Sequence, residues 1–565
     1  MRLGVCFKYI NMCASTIPMG CCGKSAPKLN VRNTYQVRII AEKLLATLVF
    51  ENFRLGPTEP DDNNTFVVDG DEHGALLAME LHASVDIPDQ VDVFVNKKNR
   101  IQFVSHSMTE SDGKKFYVPV RHQFIDADAR ATSDQLSFKW MKDKFRVKKR
   151  SGIPYALQER PASYREKALP DSPLDTFEKY KKIVDECDYG DRSSLMKSWA
   201  SDSSYGKQQL QGFAPTLVEG CEELPVAFRK ELPTDSVYYK IDLTWIESCF
   251  KNGLAPFAIF RVKRGVFVPQ AIQLEKHGVV YTPLNSSAEW VRAKVWLQHS
   301  IVNVHQVVLR NLLAYQVPNA VLIAMARSVP VHHPLFKWVA GRVAFGAETD
   351  VQVLAQVLGC DVNAMANAGA ERFSWKRSFA HDHDIKARKI DNLVDYPYRD
   401  DGNMVWKEIL RETAADMRGL FKRDSFVEKD RVIKQWVHEI NKNAVSTTDS
   451  LEISTLANLS TFLSSLVFRA NHYRGAINAH SWDHLSYVPN APPIITLPLP
   501  TGEQYITNLD PVLAGFPNHN TTVRWLKLLS EQAQDRNTRM PSKRILGQLR
   551  KVNDVHRERS YLGFV

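Results

Sequence analysis

The sequence is short of several features that would assign its class at once. No run approaches about 18 uninterrupted apolar residues, so no transmembrane helix is expected. The first residues carry an Arg and a Lys but no apolar core, which leaves a secretory leader poorly supported. No internal repeat and no long low-complexity run is visible, which argues against solenoid, fibrous and disordered classes. Cysteines number eight, and four of them (Cys6, Cys13, Cys21 and Cys22) fall in the first 22 residues. The rest, Cys187, Cys221, Cys249 and Cys360, are scattered, and none forms a CxxC pair or a zinc-type spacing with histidine. A reduced, cytoplasmic setting is therefore expected. Excess charge is also small, at 73 Lys and Arg against 63 Asp and Glu over 565 residues. A nucleic-acid binder concentrates its basic residues in a patch or stripe, so no nucleic-acid partner is expected. The densest basic run, residues 142–150 (KDKFRVKKR), reads as a solvated face, with peripheral contact to an anionic membrane as the alternative.

What is present is an ordinary globular composition, 44% apolar and 24% charged, in a chain long enough for more than one domain. Residues 34–40, 66–68, 91–95, 100–104 and 115–120 read as short strands. Turn clusters such as PDDNN at 60–64 and DGD at 69–71 separate them. The stretch 75–85 fits helix or strand. Helical spacing then takes over at 174–186, 288–314, 320–328, 351–358, 404–421, 432–441 and 453–469, with prolines such as Pro170, Pro173, Pro318, Pro330 and Pro334 at the joints. A β-like stretch at 256–268 interrupts this region, and 526–559 is basic with a helical pattern. The expected fold is mainly α: a flexible tail over 1–28, a small β-sandwich-like domain over 29–125, and one large helical domain over 126–565.

Five stretches of the helical region carry a more specific signal. Residues 205–215 read YGKQQLQGFAP. WVRAK at 290–294 is followed by His305-Gln306 and Ala326-Arg327. Then come VHHPLFKW at 331–338, YPYRDDGNMVWKEI at 396–409 and SYVPNAPP at 486–493. In order and spacing these resemble the blocks of the lipoxygenase family, with Ala214 where that family usually has Asn. The resemblance implies a large helical domain around a non-haem iron that serves oxygenation of polyunsaturated fatty acids. It also implies an iron held by two histidines five residues apart, by a third histidine and an Asn or His four residues on, and by the terminal carboxylate.

Placed on this chain, that ligand set does not recur. Counting five and ten residues on from His305 gives Arg310 and Tyr315. Counting sixteen back from Asn490 gives Arg474, and four on from there is Asn478, which does match. A guanidinium stays protonated and has no lone pair for a metal. Tyr binds ferric iron as phenolate, but one phenolate and one amide make a poor site. The ending SYLGFV leaves few residues after Tyr561-Leu562, which puts the Val565 carboxylate in doubt as a ligand. No cofactor is therefore expected, although iron is the family's.

The other histidines offer no clear replacement. His472, two positions before Arg474, is turned about 200° away on an α-helix. His480 and His484 have a ligand-like spacing but fall where the family leaves its helix, and His381 and His383 (HDHD) match a surface-near loop. His305 and the pair His332-His333 match positions the family does not use as ligands.

The candidate catalytic residues are thus Arg310, Tyr315, Arg474 and Asn478. They either pair with acidic groups and fill the hole, or form an anion or carbonyl site at the end of a lipid channel, with Tyr315 as proton donor or acceptor. The expected function is binding, or metal-independent conversion, of a polyene or fatty-acyl-like ligand. An iron dioxygenase with rearranged ligands and a membrane-docking scaffold are the competing classes.

Overall fold

The structure is a computed structural model. It describes the backbone of nine strands between residues 32 and 119, and residues 174–186, 194–330, 333–343, 349, 351–443, 448–478, 481–500 and 509–533. The expected tail over 1–28, the domain boundary near 126, the basic run at 142–150, Cys187, His332, His480 and the C-terminal Tyr561, Leu562 and Val565 lie outside these residues.

The N-terminal strands are β1 (Arg32–Ile39), β2 (Leu45–Phe50), β3 (Arg54–Thr58), β4 (Thr65–Asp69), β5 (Leu76–His82), β6 (Gln90–Val95), β7 (Asn99–Val104), β8 (Thr109–Ser111) and β9 (Lys115–Pro119). They form two antiparallel sheets, ordered β4-β1-β6-β7 and β3-β2-β5-β9-β8. Both sheets are open, each with two edge strands, so neither is a closed barrel. The ambiguous 75–85 stretch is a strand, β5, paired on both sides by β2 and β9. The sequence pattern did not show β2, β3 and β8. Pro57 lies in β3, and β3 is an edge strand, where a missing backbone N–H costs least.

A second antiparallel sheet region sits within the helical part: β10 (Glu219–Cys221), β11 (Tyr238–Asp242), β12 (Phe257–Lys263), β13 (Val266–Gln273) and β14 (Val280–Tyr281), in that order. It extends the expected β-like stretch at 256–268 in both directions. The β12–β13 turn uses Arg264 and Gly265, both at positive φ, as a two-residue hairpin requires.

The core is built round one continuous helix over residues 287–328. Its start is sealed by a capping box between Ser286 and Glu289. The stretch Ser287–Met325 is apolar and long enough to cross a membrane, but 94% of its most apolar window is buried against protein, the mark of a core helix. Pro318 was expected to break this helix and does not. The helix widens to π geometry over His305–Gln316, and the Val317 N–H bonds back five residues to the Leu312 carbonyl. The wider turn just before Pro318 relieves the clash its ring makes in a regular α-helix.

The matched blocks meet one another in space, which gives their residues a structural reason. Asn490 of SYVPNAPP donates to the Gln208 side chain of YGKQQLQGFAP at 3.0 Å and to the His484 carbonyl at 2.8 Å. A Cβ on Gly206 would lie 1.8 Å from the Phe267 carbonyl oxygen, so only glycine lets this helix rest on β13. Tyr396 of YPYRDD donates to the Pro215 carbonyl and receives from Arg388 at 3.0 Å. In VHHPLFKW, His333 caps its helix by accepting from Leu335 N and reaches Asp430 at 3.1 Å.

Candidate functional site

Two helical passages carry the four predicted residues. Arg310 and Tyr315 lie on the π stretch of the central helix. Residues five apart on an α-helix are about 140° out of line. The i to i+5 bonding of a π-helix brings them back onto one face. Arg474 and Asn478 begin and end the short helix Arg474–Asn478, directly after a second π turn, Arg469–Tyr473. The two π segments pack together, so all four side chains converge.

The cluster is buried. Arg310, Tyr315 and Arg474 are 2%, 0% and 1% exposed, and Asn478 is half-buried. Asn478 bridges the group: its carbonyl accepts from Arg310 Nε at 3.1 Å, and its amide donates to the Tyr315 hydroxyl at 2.7 Å. The Tyr315 ring packs against both guanidiniums, with Arg310 Cζ at 4.7 Å and Arg474 Cζ at 4.4 Å from its centroid. Arg474 also donates to the Ala314 carbonyl at 3.3–3.4 Å. Arg310 Nη1 donates to Thr349 Oγ1 at 2.6 Å.

The four residues have neighbours that no sequence pattern marked. Thr349 lies 39 residues from Arg310 and gave no signal. Asn311, the residue next to Arg310, holds the Thr349 backbone with two hydrogen bonds, at 2.8 and 3.0 Å. Gln532, from the helix His519–Ala533, donates to Thr349 Oγ1 at 3.2 Å. It also pairs reciprocally with Gln306 at 2.9 and 3.2 Å.

The remaining histidines lie elsewhere or are already engaged. His305 Nε2 faces the Ile477 carbonyl at 3.0 Å, so that nitrogen carries the hydrogen and Nδ1 accepts from Gln306 at 3.3 Å. Burial pushes its pKa down to about 3, so it is neutral. His381 and His383 open a short helix, not a loop; His381 is buried and His383 exposed. His472 lies on the π turn Arg469–Tyr473 and packs 4.8 Å from the Phe468 ring. His484 is buried in the helix Ser481–Leu485, against Gly212. Among the described residues no group of three or more His, Cys, Asp or Glu is placed to hold a metal ion. A cavity of about 510 Å³ lies against Val304, Val308 and Leu313 of the same helix, and none of the four cluster residues lines it.

This architecture has known counterparts. A lipoxygenase with arachidonate bound superposes with a TM-score of 0.62 at 17% identity, covering 94% of this chain and 97% of the other. The fold is the lipoxygenase fold. The lipoxygenase family profile matches residues 374–540. The human polyunsaturated fatty acid lipoxygenase ALOX15B is 26% identical over 389 residues, which cover 60% of this chain and 57% of that protein. The mouse hydroperoxide isomerase ALOXE3 is 24% identical over 390 residues, covering 60% and 55%. The matched stretch thus spans little more than half of these relatives. Sequence and structure together support the lipoxygenase family as this chain's relatives.

Proposed function

We propose that this lipoxygenase-fold chain binds a fatty-acyl-like or polyene ligand by its carboxylate or carbonyl, without the family's iron. One observation carries the reading. The Arg310 guanidinium is 2% exposed, and the acceptors it meets, Asn478 Oδ1 and Thr349 Oγ1, are neutral. Among the described residues no carboxylate lies within ion-pair distance of it. A buried cation without a counter-ion is costly, and an incoming anion offsets that cost. Arg474, on the same tyrosine ring, adds a second positive charge.

The donor set does not suit iron. Two guanidiniums, a phenol and a carboxamide stand where the family's pattern calls for neutral imidazoles, and permanent cations repel a metal ion. They do suit a carboxylate, or the oxyanion of an enolate. The Tyr315 oxygen accepts from Asn478, and its hydroxyl carries one hydrogen that it can donate. Proton transfer of that kind serves isomerisation, dehydration or cyclisation. Two features of the comparisons support a lipid ligand and a reaction other than dioxygenation. One neighbouring structure holds arachidonate, and one relative is named a hydroperoxide isomerase.

The test is displacement of a fluorescent polyene fatty acid by linoleate. Wild type should bind, and Arg310→Ala and Arg474→Ala should each weaken binding about 10- to 100-fold, the range for a hydrogen bond to a charged group. Their circular dichroism should stay that of wild type. Unchanged affinity in both variants would remove the cluster from the binding site. Oxygen uptake with linoleate, accompanied by conjugated-diene absorbance, would favour an iron dioxygenase with rearranged ligands.

A further inference from the structure

We infer that Thr349 is a further ligand-contacting residue, which donates its hydroxyl hydrogen to the carboxylate held by Arg310 and so selects free acids over esters. The inference rests on the anion-site reading above and deepens it.

One buried chain of contacts fixes where each hydrogen lies. A backbone carbonyl only accepts, so the Ile477 carbonyl fixes His305 Nε2 as the protonated nitrogen. His305 Nδ1 is then an acceptor, and the amide of Gln306 donates to it at 3.3 Å. This sets the orientation of Gln306. Its second amide hydrogen goes to Gln532 Oε1 at 3.2 Å, and its carbonyl accepts from Gln532 Nε2 at 2.9 Å. Gln532 is oriented in turn, and its remaining amide hydrogen goes to Thr349 Oγ1 at 3.2 Å. Arg310 Nη1 donates to the same oxygen at 2.6 Å.

A hydroxyl has two lone pairs and one hydrogen. Gln532 and Arg310 take both lone pairs, so the one capacity left to Thr349 is donation. The position of the hydroxyl is fixed as well. Asn311, 3% exposed, clamps the Thr349 N–H at 2.8 Å and its carbonyl at 3.0 Å. Because Asn311 follows Arg310 on the helix, the clamp holds Thr349 in register with the guanidinium. The result is a neutral donor set beside a buried cation, with its direction determined from the Ile477 carbonyl onward. A carboxylate accepts from both; an ester, with no charge and one strong acceptor oxygen, gains far less.

The experiment compares linoleate and methyl linoleate as displacers, in the full chain, for wild type, Thr349→Val, Thr349→Ser and Arg310→Ala. Valine keeps the shape and loses the hydroxyl. Thr349→Val should weaken linoleate about tenfold and leave methyl linoleate within about twofold. Thr349→Ser should bind both as wild type does, which also shows that the clamp tolerates substitution. If Arg310→Ala loses linoleate while Thr349→Val binds it as wild type does, the inference fails and the anion site stands. Equal losses of acid and ester in Thr349→Val would reduce Thr349 to a structural part and overturn the inference too. If Arg310→Ala binds linoleate normally, the anion-site reading falls, and this inference with it.

Discussion

Arg310 is a buried guanidinium among neutral acceptors, and its neighbours show how much of that could be read in advance. The positions of Arg310, Tyr315, Arg474 and Asn478 were legible by counting from His305 and Asn490, because homologous helices keep their register. The structure brings the four together, with Asn478 touching both Arg310 and Tyr315. Thr349 and Gln532 were not legible. Each contributes through one hydrogen bond to a distant segment, and no local pattern marks such a contact. Gly206 shows the same limit. It reads as a weak spot in a helix, yet it sits where a methyl group would overlap the Phe267 carbonyl at 1.8 Å. Gly206→Ala should therefore destabilise the fold by roughly 1–3 kcal/mol through overpacking. Thermal unfolding should show a lowered midpoint, and an unchanged midpoint would mean that β13 moves aside freely.

Among the elements, helices with a clear apolar stripe were the most legible. The runs predicted at 351–358 and 432–441 appear as Val351–Val357 and Arg431–Asn443. Helices without strong contrast were missed. Val362–Arg372 is built largely of Ala, Asn and Gly, and Asp202–Gln211 is polar along most of its length, so neither shows a clear apolar stripe. The central helix was divided at Pro318 because a proline ordinarily ends a helix. The π stretch His305–Gln316 cancels that rule, and it also explains how residues five apart can share one face. No periodicity in the sequence announces π geometry. Bounds also shifted where a cap lies upstream of the apolar pattern: the helix expected from 404 begins at Pro397, where proline at the first position is favoured.

At the scale of the whole molecule, the core holds histidines in a neutral state. Burial pushes His299 down to about 4, and His305, His381 and His472 down to about 3. In the unfolded chain they titrate near 6.5. Between about pH 6.5 and 3 the unfolded chain binds protons that the native state refuses, so stability must fall as pH falls through that window. Above about pH 6.5 these groups make no further contribution. Thermal midpoints should therefore drop between pH 7 and pH 5, and a His472→Phe variant should show a shallower decline, since neither ring nitrogen of His472 has a hydrogen-bond partner to lose. A flat profile over that range would contradict the burial of neutral imidazoles.

The polar centre at the end of this core is the central claim, and metal content tests it most directly. The chain would be produced in medium supplemented with iron and manganese, purified without chelator, and assayed by mass spectrometry for bound metal per chain. Far less than one equivalent of either metal is expected if, as the family resemblance implies and we propose, Arg310 and Arg474 occupy positions where neutral nitrogen donors are required. About one equivalent of tightly held iron, retained through dialysis against chelator, would contradict it.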